Sequence, residues 1–155
     1  GRVDGGADLL DGILDCARAG LAAEMLGSSA EAFERTVQYL KERKQFGVPI
    51  GSFQALKHRA AQMYCEVEAT RSTVTAALDA LDSGANDASL LASLAKAKAN
   101  STARLTGDEG IQMHGGIGMT DEHDIGFFLK RARVAEATFG DAAFHRDRYA
   151  AVSGY

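Results

Sequence analysis

Tryptophan is absent from this sequence of 155 residues, and proline occurs only once, at Pro49. Because proline breaks helices and alanine favours them, a chain with one proline and many alanines is expected to form long helices. Apolar residues make up 46 % of the sequence, which suffices for one compact domain with a real hydrophobic core. No segment alternates apolar and polar residues strictly enough to predict a β-strand. The composition therefore favours an all-α fold.

Cysteine and basic residues are too scarce for several functional classes. Cys16 and Cys65 have neither a CxxC spacing nor a nearby histidine pair, so neither a zinc site nor a disulfide framework is predicted. The four histidines lack a metal-ligand spacing such as HExxH. With 17 basic and 21 acidic residues the net charge is −4, which offers no basic surface for nucleic acid. A reducing, cytoplasmic location is the expectation from this cysteine usage.

The sequence also lacks an apolar run of membrane-spanning length and a recognisable signal peptide. Residues 1–6 are rich in glycine and look like the stub of a linker. We therefore expect a linker at 1–6 and a helical domain at 7–155, and we expect the chain to be a piece of a longer protein.

Apolar residues recur at three- and four-residue intervals, the period of one helical face, along five segments. The predicted helices cover residues 7 to about 45, 53–83, 87–112, 124–134 and 142–152. Pro49 ends the first helix, Ser52 is the predicted N-cap of the second, and Asn86 or Asp87 caps the third. The predicted architecture is an all-α bundle of about five helices with short connections.

A glycine cluster, Gln112-Met113-His114-Gly115-Gly116-Ile117-Gly118, directly follows the third helical pattern. Glycine lacks a Cβ, so the backbone can take positive φ and a flat group can approach its amides closely, as a cofactor would. A helix end followed by a turn explains the same glycines without a ligand. The cluster alone leaves both interpretations open.

A second motif, residues 43–47 with the sequence Arg-Lys-Gln-Phe-Gly, lies at the end of the first helix. Cations at this position complement the helix dipole, but the planar fork of Arg43 can instead clamp a diphosphate. Phe53 and Gln54 begin the next helix, where an aromatic ring and an amide suit a flat cofactor. Packing of Phe53 in the core is an equal alternative.

Together, residues 42–54 and 112–118 resemble the two signatures of the C-terminal helical domain of acyl-CoA dehydrogenases. Their order, their separation by two helices and the following segment 128–133 also match. The resemblance covers essentially all 155 residues and implies the four-helix-bundle fold of that domain. A complete member of the family also has an N-terminal helical domain and a middle β-domain, which this sequence does not contain.

The resemblance implies FAD as the cofactor and places this chain in fatty acid metabolism. The implied FAD contacts are Arg43, Gln45, Phe53, Gln54, Gln112, Gly115 and Gly116. A guanidinium fork and the amides of a glycine-rich helix end are groups that a diphosphate needs. Assembly into a homo- or hetero-oligomer, either a dimer or a tetramer, and an electron-transfer flavoprotein or similar acceptor are also implied.

The family reaction is α,β-dehydrogenation of an acyl-CoA thioester, in which a carboxylate removes the α-proton and the β-hydride goes to the flavin. The resemblance implies that Arg18 and Gly140 lie beside the acyl-CoA. It also implies a base directly before that glycine or, in some members, directly before that arginine. These two positions hold Phe139 and Ala17, so the expected carboxylate is missing from both.

Asp141, Glu136 and Asp15 are the carboxylates nearest in sequence to the two vacant base positions. We expect a displaced carboxylate to be a poor replacement, because a shift of an ångström or more removes much of its catalytic effect. The main hypothesis is that this chain is part of an acyl-CoA dehydrogenase and that the isolated domain is inactive. The alternatives are a non-catalytic partner subunit of a heteromeric dehydrogenase and a purely helical interaction domain.

Overall fold

Five α-helices account for most of the chain, of which a computed structural model describes residues 3–155. Their bounds are α1 Ala7–Glu42, α2 Gln54–Ser83, α3 Ala88–His114, α4 Ile125–Ala137 and α5 Ala142–Val152. The predicted all-α architecture is confirmed, and the fifth helix has the predicted bounds. Among residues 3–155, none of the helices combines the length and the apolarity needed to cross a membrane.

The central helix is α3, which contacts each of the other four helices. Ala95, Ala99 and Ala103 recur every four residues along its buried face, and their small side chains let neighbouring helices approach closely. Met25 of α1 and Val74 of α2 fill the space beside them. Each such side chain, when fully buried, contributes about 1.5–3 kcal/mol through the hydrophobic effect.

A short antiparallel hairpin between α1 and α2 corrects the prediction that the chain contains no strand. Its strands are β1, Lys44–Gln45, and β2, Val48–Pro49. The two turn residues, Phe46 and Gly47, have φ values of 54° and 81°, as a tight hairpin turn requires. Strands of two residues are too short to show an alternating pattern. Because the hairpin begins there, α1 ends at Glu42 instead of near residue 45.

The predicted N-caps are also corrected for two helices. The Ser52 hydroxyl donates to the Pro49 carbonyl at 2.7 Å inside a 3₁₀ turn, so α2 begins one residue later, after Phe53, without a side-chain cap. Asp87 precedes α3, but its side chain makes no cap hydrogen bond. By contrast, Asp141 caps α5, because its carboxylate accepts from the Phe144 N–H at 2.8 Å.

Candidate functional site

A cavity of about 630 Å³ opens where the ends of α1 and α3 meet the hairpin and the start of α2. Its walls include six of the seven residues predicted to contact FAD, namely Arg43, Gln45, Phe53, Gln112, Gly115 and Gly116. The fold thus brings the two sequence motifs to one place. We call this space the motif cavity.

Packing between Tyr39 and His114 fixes the two motifs relative to each other. The two rings stack with centroids 4.3 Å apart, and the Tyr39 hydroxyl donates to the His114 carbonyl at 3.2 Å. The His123 ring packs on the His114 ring at 4.5 Å. Beneath them, Leu40, Ile50, Met63 and Met113 form a buried apolar cluster. The residues beneath the cavity are therefore tightly packed.

Polar side chains face solvent along the wall of the motif cavity. Arg43, Gln45 and Gln112 are all exposed there, so a guanidinium and two amides are free to donate hydrogen bonds. Arg59 also lines the cavity, but its guanidinium donates to Glu109, and this hydrogen bond raises the pKa of Arg59. Because Glu109 neutralises Arg59, the charge that Arg43 brings to the wall is the cation available to an anionic ligand.

His114 contributes a buried acceptor to the same wall. Its ring nitrogen Nδ1 lies 2.7 Å from the Gly110 carbonyl, a geometry in which Nδ1 carries the proton and Nε2 is a bare acceptor. Nε2 is buried and has no hydrogen-bond partner among residues 3–155. Burial lowers the pKa of His114, which keeps the ring neutral. An unpaired buried acceptor is costly, which makes this nitrogen an exception among the buried polar atoms of residues 3–155.

Gly115 and Gly116, the two glycines of the cluster that are predicted to contact FAD, have different reasons to be glycine. Gly115 ends α3 with φ 65° and ψ −142°, a conformation that a side chain would strain. At Gly116, by contrast, an added Cβ would meet no atom within 4 Å. Packing within the chain therefore does not require glycine at 116. Its missing side chain instead leaves the cavity wall open, as close approach of a ligand requires.

The two residues predicted at the start of α2 have separate outcomes. Phe53 is 38 % exposed at the motif cavity, and its ring packs edge to face on the ring of Phe46. The alternative of core packing for Phe53 is therefore wrong. Gln54 does not line the cavity: its side-chain amide lies 2.6 Å from His58 Nε2 on the exposed face of α2.

Sequence reasoning missed several residues of the cavity wall. They are Tyr39, Phe46, Ile50, Leu56, Arg59, Met113, His114 and Ile117. Five of them lie inside the two motifs, residues 42–54 and 112–118, and carry no separate signal. Tyr39 and Arg59 reach the cavity only through helix packing, which no local pattern records.

The two residues predicted beside the acyl-CoA, Arg18 and Gly140, lie close together toward the other end of α3. The Arg18 guanidinium lies 5.8 Å from the centroid of the Phe144 ring, and an added Cβ at Gly140 would lie 2.4 Å from an atom of that ring. Arg18 is buried and donates to Asp15 at 2.8 Å. Phe144 thus connects both predicted residues in one region.

Backbone geometry at Phe139 and Gly140 is unusual, with φ values of 59° and 108°. The Phe139 carbonyl lies 3.0 Å from His145 Nε2, and the Gly140 carbonyl accepts from Lys96 Nζ at 3.0 Å. Burial lowers the pKa of His145 to about 4, so the ring is neutral and Nε2 carries the proton that it donates. Gly140 must be glycine, because of its positive φ and the crowding by Phe144.

The three carboxylates nearest in sequence to the two base positions each have a partner. Asp15 contacts both Arg18 and Arg148, at 2.8 and 3.0 Å. Burial raises the pKa of Asp15, but hydrogen bonds from Arg18, Ser89 and Arg148 outweigh it and lower the pKa overall. Asp141 caps α5, and Glu136 lies 3.8 Å from Arg133.

Comparisons with known proteins agree with this architecture. The family model described as the C-terminal domain of acyl-CoA dehydrogenase matches residues 4–153. The chain is 47 % identical over 121 residues to acyl-CoA dehydrogenase IpdE2 of Mycobacterium tuberculosis, which covers 78 % of this chain and 36 % of that protein.

Two solved structures have the same fold over nearly the whole chain. The glutaryl-coenzyme A dehydrogenase glutaryl-CoA complex superposes with a TM-score of 0.93 and 29 % identity, over 99 % of this chain and 39 % of that one. PigA with FAD and proline gives a TM-score of 0.86 and 28 % identity, over 91 % of this chain and 37 % of PigA. The chain thus spans well under half the length of each relative.

Proposed function

This chain belongs to the acyl-CoA dehydrogenase family, and we propose that it is the flavin-contacting and subunit-assembling helical part of an FAD-dependent acyl-CoA dehydrogenase. The observation that carries the proposal is the motif cavity, which gathers six of the seven implied FAD contacts on one surface. Its open wall at Gly116 suits close approach of a bound ligand.

The residues of the motif cavity fit the far end of a dinucleotide. Arg43 would hold the diphosphate through paired charge-assisted hydrogen bonds, and the amide at Gly116 would add a donor, whereas the Gly115 amide already donates to the Gln112 carbonyl. Gln112 would bind the polar edge of the adenosine, while the half-exposed ring of Phe53 offers an apolar face. When bound, FAD supplies the hydride acceptor of the dehydrogenation.

Titration of the intact protein with FAD tests this assignment. The substitution Arg43→Gln removes charge-assisted hydrogen bonds to the diphosphate that are worth about 1.5–3 kcal/mol. We therefore expect FAD affinity to fall about 10- to 100-fold. The matched control is Arg71→Gln, at an exposed arginine of α2 outside the cavity, which pairs with Glu68. Equal FAD affinity in both variants would reject Arg43 as a contact.

The substrate end of the proposal places the acyl-CoA thioester beside Gly140, with Arg18 nearby. In the dehydrogenation the α-carbon loses a proton to a carboxylate and the β-carbon loses a hydride to the flavin, which leaves an α,β double bond. Phe139 and Ala17, the implied base positions, carry no ionisable group. These two positions therefore do not supply the proton acceptor that the reaction needs.

A second candidate function follows from that vacancy: a non-catalytic partner subunit whose companion supplies the base. In its favour, Asp15 is neutralised by two arginines and Asp141 serves as a helix cap. The decisive variant is Asp141→Asn, because asparagine keeps the cap while removing the base. Turnover of acyl-CoA thioesters by the intact protein alone, lost in Asp141→Asn, would reject the partner role; flavin binding with turnover only after a second subunit is added would support it.

Assembly is the last element of the proposal. Leu9, Leu10 and Ile13 at the start of α1 are 70, 55 and 57 % exposed, an apolar surface that association would cover. We therefore propose a dimer or tetramer, and electron transfer to an electron-transfer flavoprotein or similar acceptor. Analytical ultracentrifugation of the intact protein tests the first point, since a monomer at micromolar concentration would contradict it. The cytoplasmic location stays a prediction.

A further inference from the structure

Lys96 lies in the middle of α3 with a fully buried side chain. Its ammonium group donates to the Asn100 side-chain oxygen at 2.7 Å, to the Ala135 carbonyl at 3.0 Å and to the Gly140 carbonyl at 3.0 Å. All three ammonium protons therefore have an acceptor. A buried lysine with this complete set of partners is unusual, because lysine is almost never fully buried unless it is paired.

The acceptors of Lys96 belong to the segment that carries the proposed substrate site. Ala135 lies in the last turn of α4, and Gly140 lies in the turn before α5. Asn100 Nδ2 also donates to the Gly140 carbonyl, at 3.3 Å, and His145 Nε2 donates to the preceding Phe139 carbonyl, at 3.0 Å. Two successive carbonyls of this turn are thus held toward the interior by three buried side chains.

The orientation of these carbonyls determines that of the neighbouring amides. Within residues 3–155 every peptide bond is trans, so the N–H groups of Gly140 and Asp141 point away from the carbonyls of Phe139 and Gly140. They therefore face away from the buried side chains. Phe139 has a left-handed φ of 59°, a strained conformation that persists only when its surroundings hold it.

The charge of Lys96 contributes little to the free energy of unfolding. Burial lowers the pKa of Lys96 to about 8, an effect that Glu136 and Asp141 oppose. The other titratable groups near this region are His145, Arg18, Arg148 and the Asp15 carboxylate, which pairs with both arginines. A buried charge is often no more stabilising than a well-packed apolar residue of similar volume. What an apolar residue cannot supply is directed hydrogen bonds to the turn.

From this geometry we propose that Lys96 is a positioning residue: through the Ala135 and Gly140 carbonyls it sets the orientation of the Gly140–Asp141 peptide, and with it the Asp141 amide, on the side of the turn that faces the acyl-CoA site. The inference rests on the proposed function only in naming acyl-CoA as the molecule at that turn. Lys96 does not contact the FAD site, since Gln112 lies sixteen residues further along α3, about 24 Å away.

The test compares Lys96→Met with Lys98→Met in the intact protein. Lys98 lies on the same helix but is partly exposed and pairs with Glu66, so it controls for loss of a lysine from α3. Hydrogen exchange is read at three amides that close the turn, those of Thr138, Phe144 and His145. We expect exchange there to quicken at least tenfold in Lys96→Met only, with α1 and α2 unchanged. Unchanged exchange at those amides would overturn the inference.

A kinetic readout separates positioning from a general loss of structure. We expect Lys96→Met to lower kcat/KM for butyryl-CoA and octanoyl-CoA about 10- to 100-fold while FAD affinity stays within twofold of the wild type. An equal loss of FAD affinity would indicate a purely structural role and would contradict the proposal. Where the enzyme needs a companion subunit for turnover, the assay is run with that subunit present.

Two further measurements keep the test decisive. If Lys96→Met does not fold, hydrogen exchange of the wild type is measured between pH 7 and 9 instead and corrected for the intrinsic exchange rates. Protection of the three amides should fall as Lys96 loses its proton. Constant protection would overturn the inference. Adding butyryl-CoA or octanoyl-CoA to the wild type tests the proposed function separately. If neither thioester alters hydrogen exchange in residues 138–145, the proposed placement of the substrate is rejected. The role of Lys96 in the turn is decided by the comparison of the variants alone.

Discussion

The Tyr39 ring stacks on the His114 ring at 4.3 Å, and the Tyr39 hydroxyl donates to the His114 carbonyl at 3.2 Å. This pair connects the last turn of α1 to the last turn of α3. Because residues 43–47 follow Tyr39 and the glycine cluster includes His114, this contact sets the distance between the two walls of the motif cavity. Substitution of either residue should therefore affect the proposed cofactor site but not the proposed substrate region.

Truncation at Tyr39 separates the stacking from the hydrogen bond. We expect Tyr39→Phe to cost about 0.5–1.5 kcal/mol, the net value of one hydrogen bond, with little loss of FAD affinity. Tyr39→Leu also removes the aromatic packing and should weaken FAD binding about tenfold. Chemical denaturation and FAD titration of both variants measure the two effects, and identical FAD affinity in the two variants would contradict the role given to the stacked rings.

Acid should destabilise the fold through His145. Its pKa is about 4 in the folded protein and about 6.5 in the unfolded chain. Between those values the unfolded state binds a proton that the folded state does not, so stability falls as the pH drops from 6.5 to 4 and this residue adds no further loss below 4. The expected contribution is about 3 kcal/mol.

Denaturation curves at pH 6.5 and pH 4.5 measure this loss in the wild type and in His145→Gln. The variant should show a shallower dependence on pH. The control is His58→Gln, at an exposed histidine of α2 that should leave the slope unchanged. A slope in His145→Gln equal to that of the wild type would contradict the assignment.

Substitution at Gly140 should disturb the turn before α5. An added Cβ would lie 2.4 Å from Phe144 Cδ1 and 2.9 Å from His145 Nε2, on a backbone with φ 108°. We expect Gly140→Ala to cost about 1–3 kcal/mol and to weaken acyl-CoA binding. Gly126→Ala is the matched control, because outside its own helix turn the nearest atom to an added Cβ is the Gly118 carbonyl oxygen, at 4.0 Å. Thermal unfolding should leave Gly126→Ala unchanged or slightly more stable.

Local sequence patterns predicted the fold well where the physical signal is periodic and long. The five helices carry that signal over 11 to 36 residues each, so their existence followed from spacing alone. The hairpin at 44–49 did not, because strands of two residues show no period. Ser52 has the chemistry of an N-cap, yet its hydroxyl bonds to Pro49 within a 3₁₀ turn that the sequence did not predict.

The two candidate sites differ in how much of each could be predicted from the sequence. The motif cavity was predictable because its groups lie in two contiguous motifs that the family resemblance links. The role of Lys96 was not predictable, since Lys96 and Lys98 stand two residues apart in the same alanine-rich helix. Only packing of α4 and α5 on α3 makes one of them fully buried and leaves the other paired with Glu66 at the surface.

The central claim is that FAD occupies the motif cavity, and titration of the FAD-free intact protein with FAD, in the wild type and in Gly116→Val, tests it most directly. An added Cβ at Gly116 meets no atom within 4 Å, so the variant should keep the wild-type melting temperature without FAD. The predicted result is FAD binding by the wild type and affinity at least tenfold lower in Gly116→Val, with Gly27→Ala, on the exposed side of α1, as the unaffected control. Equal FAD affinity in the wild type and Gly116→Val would contradict the account.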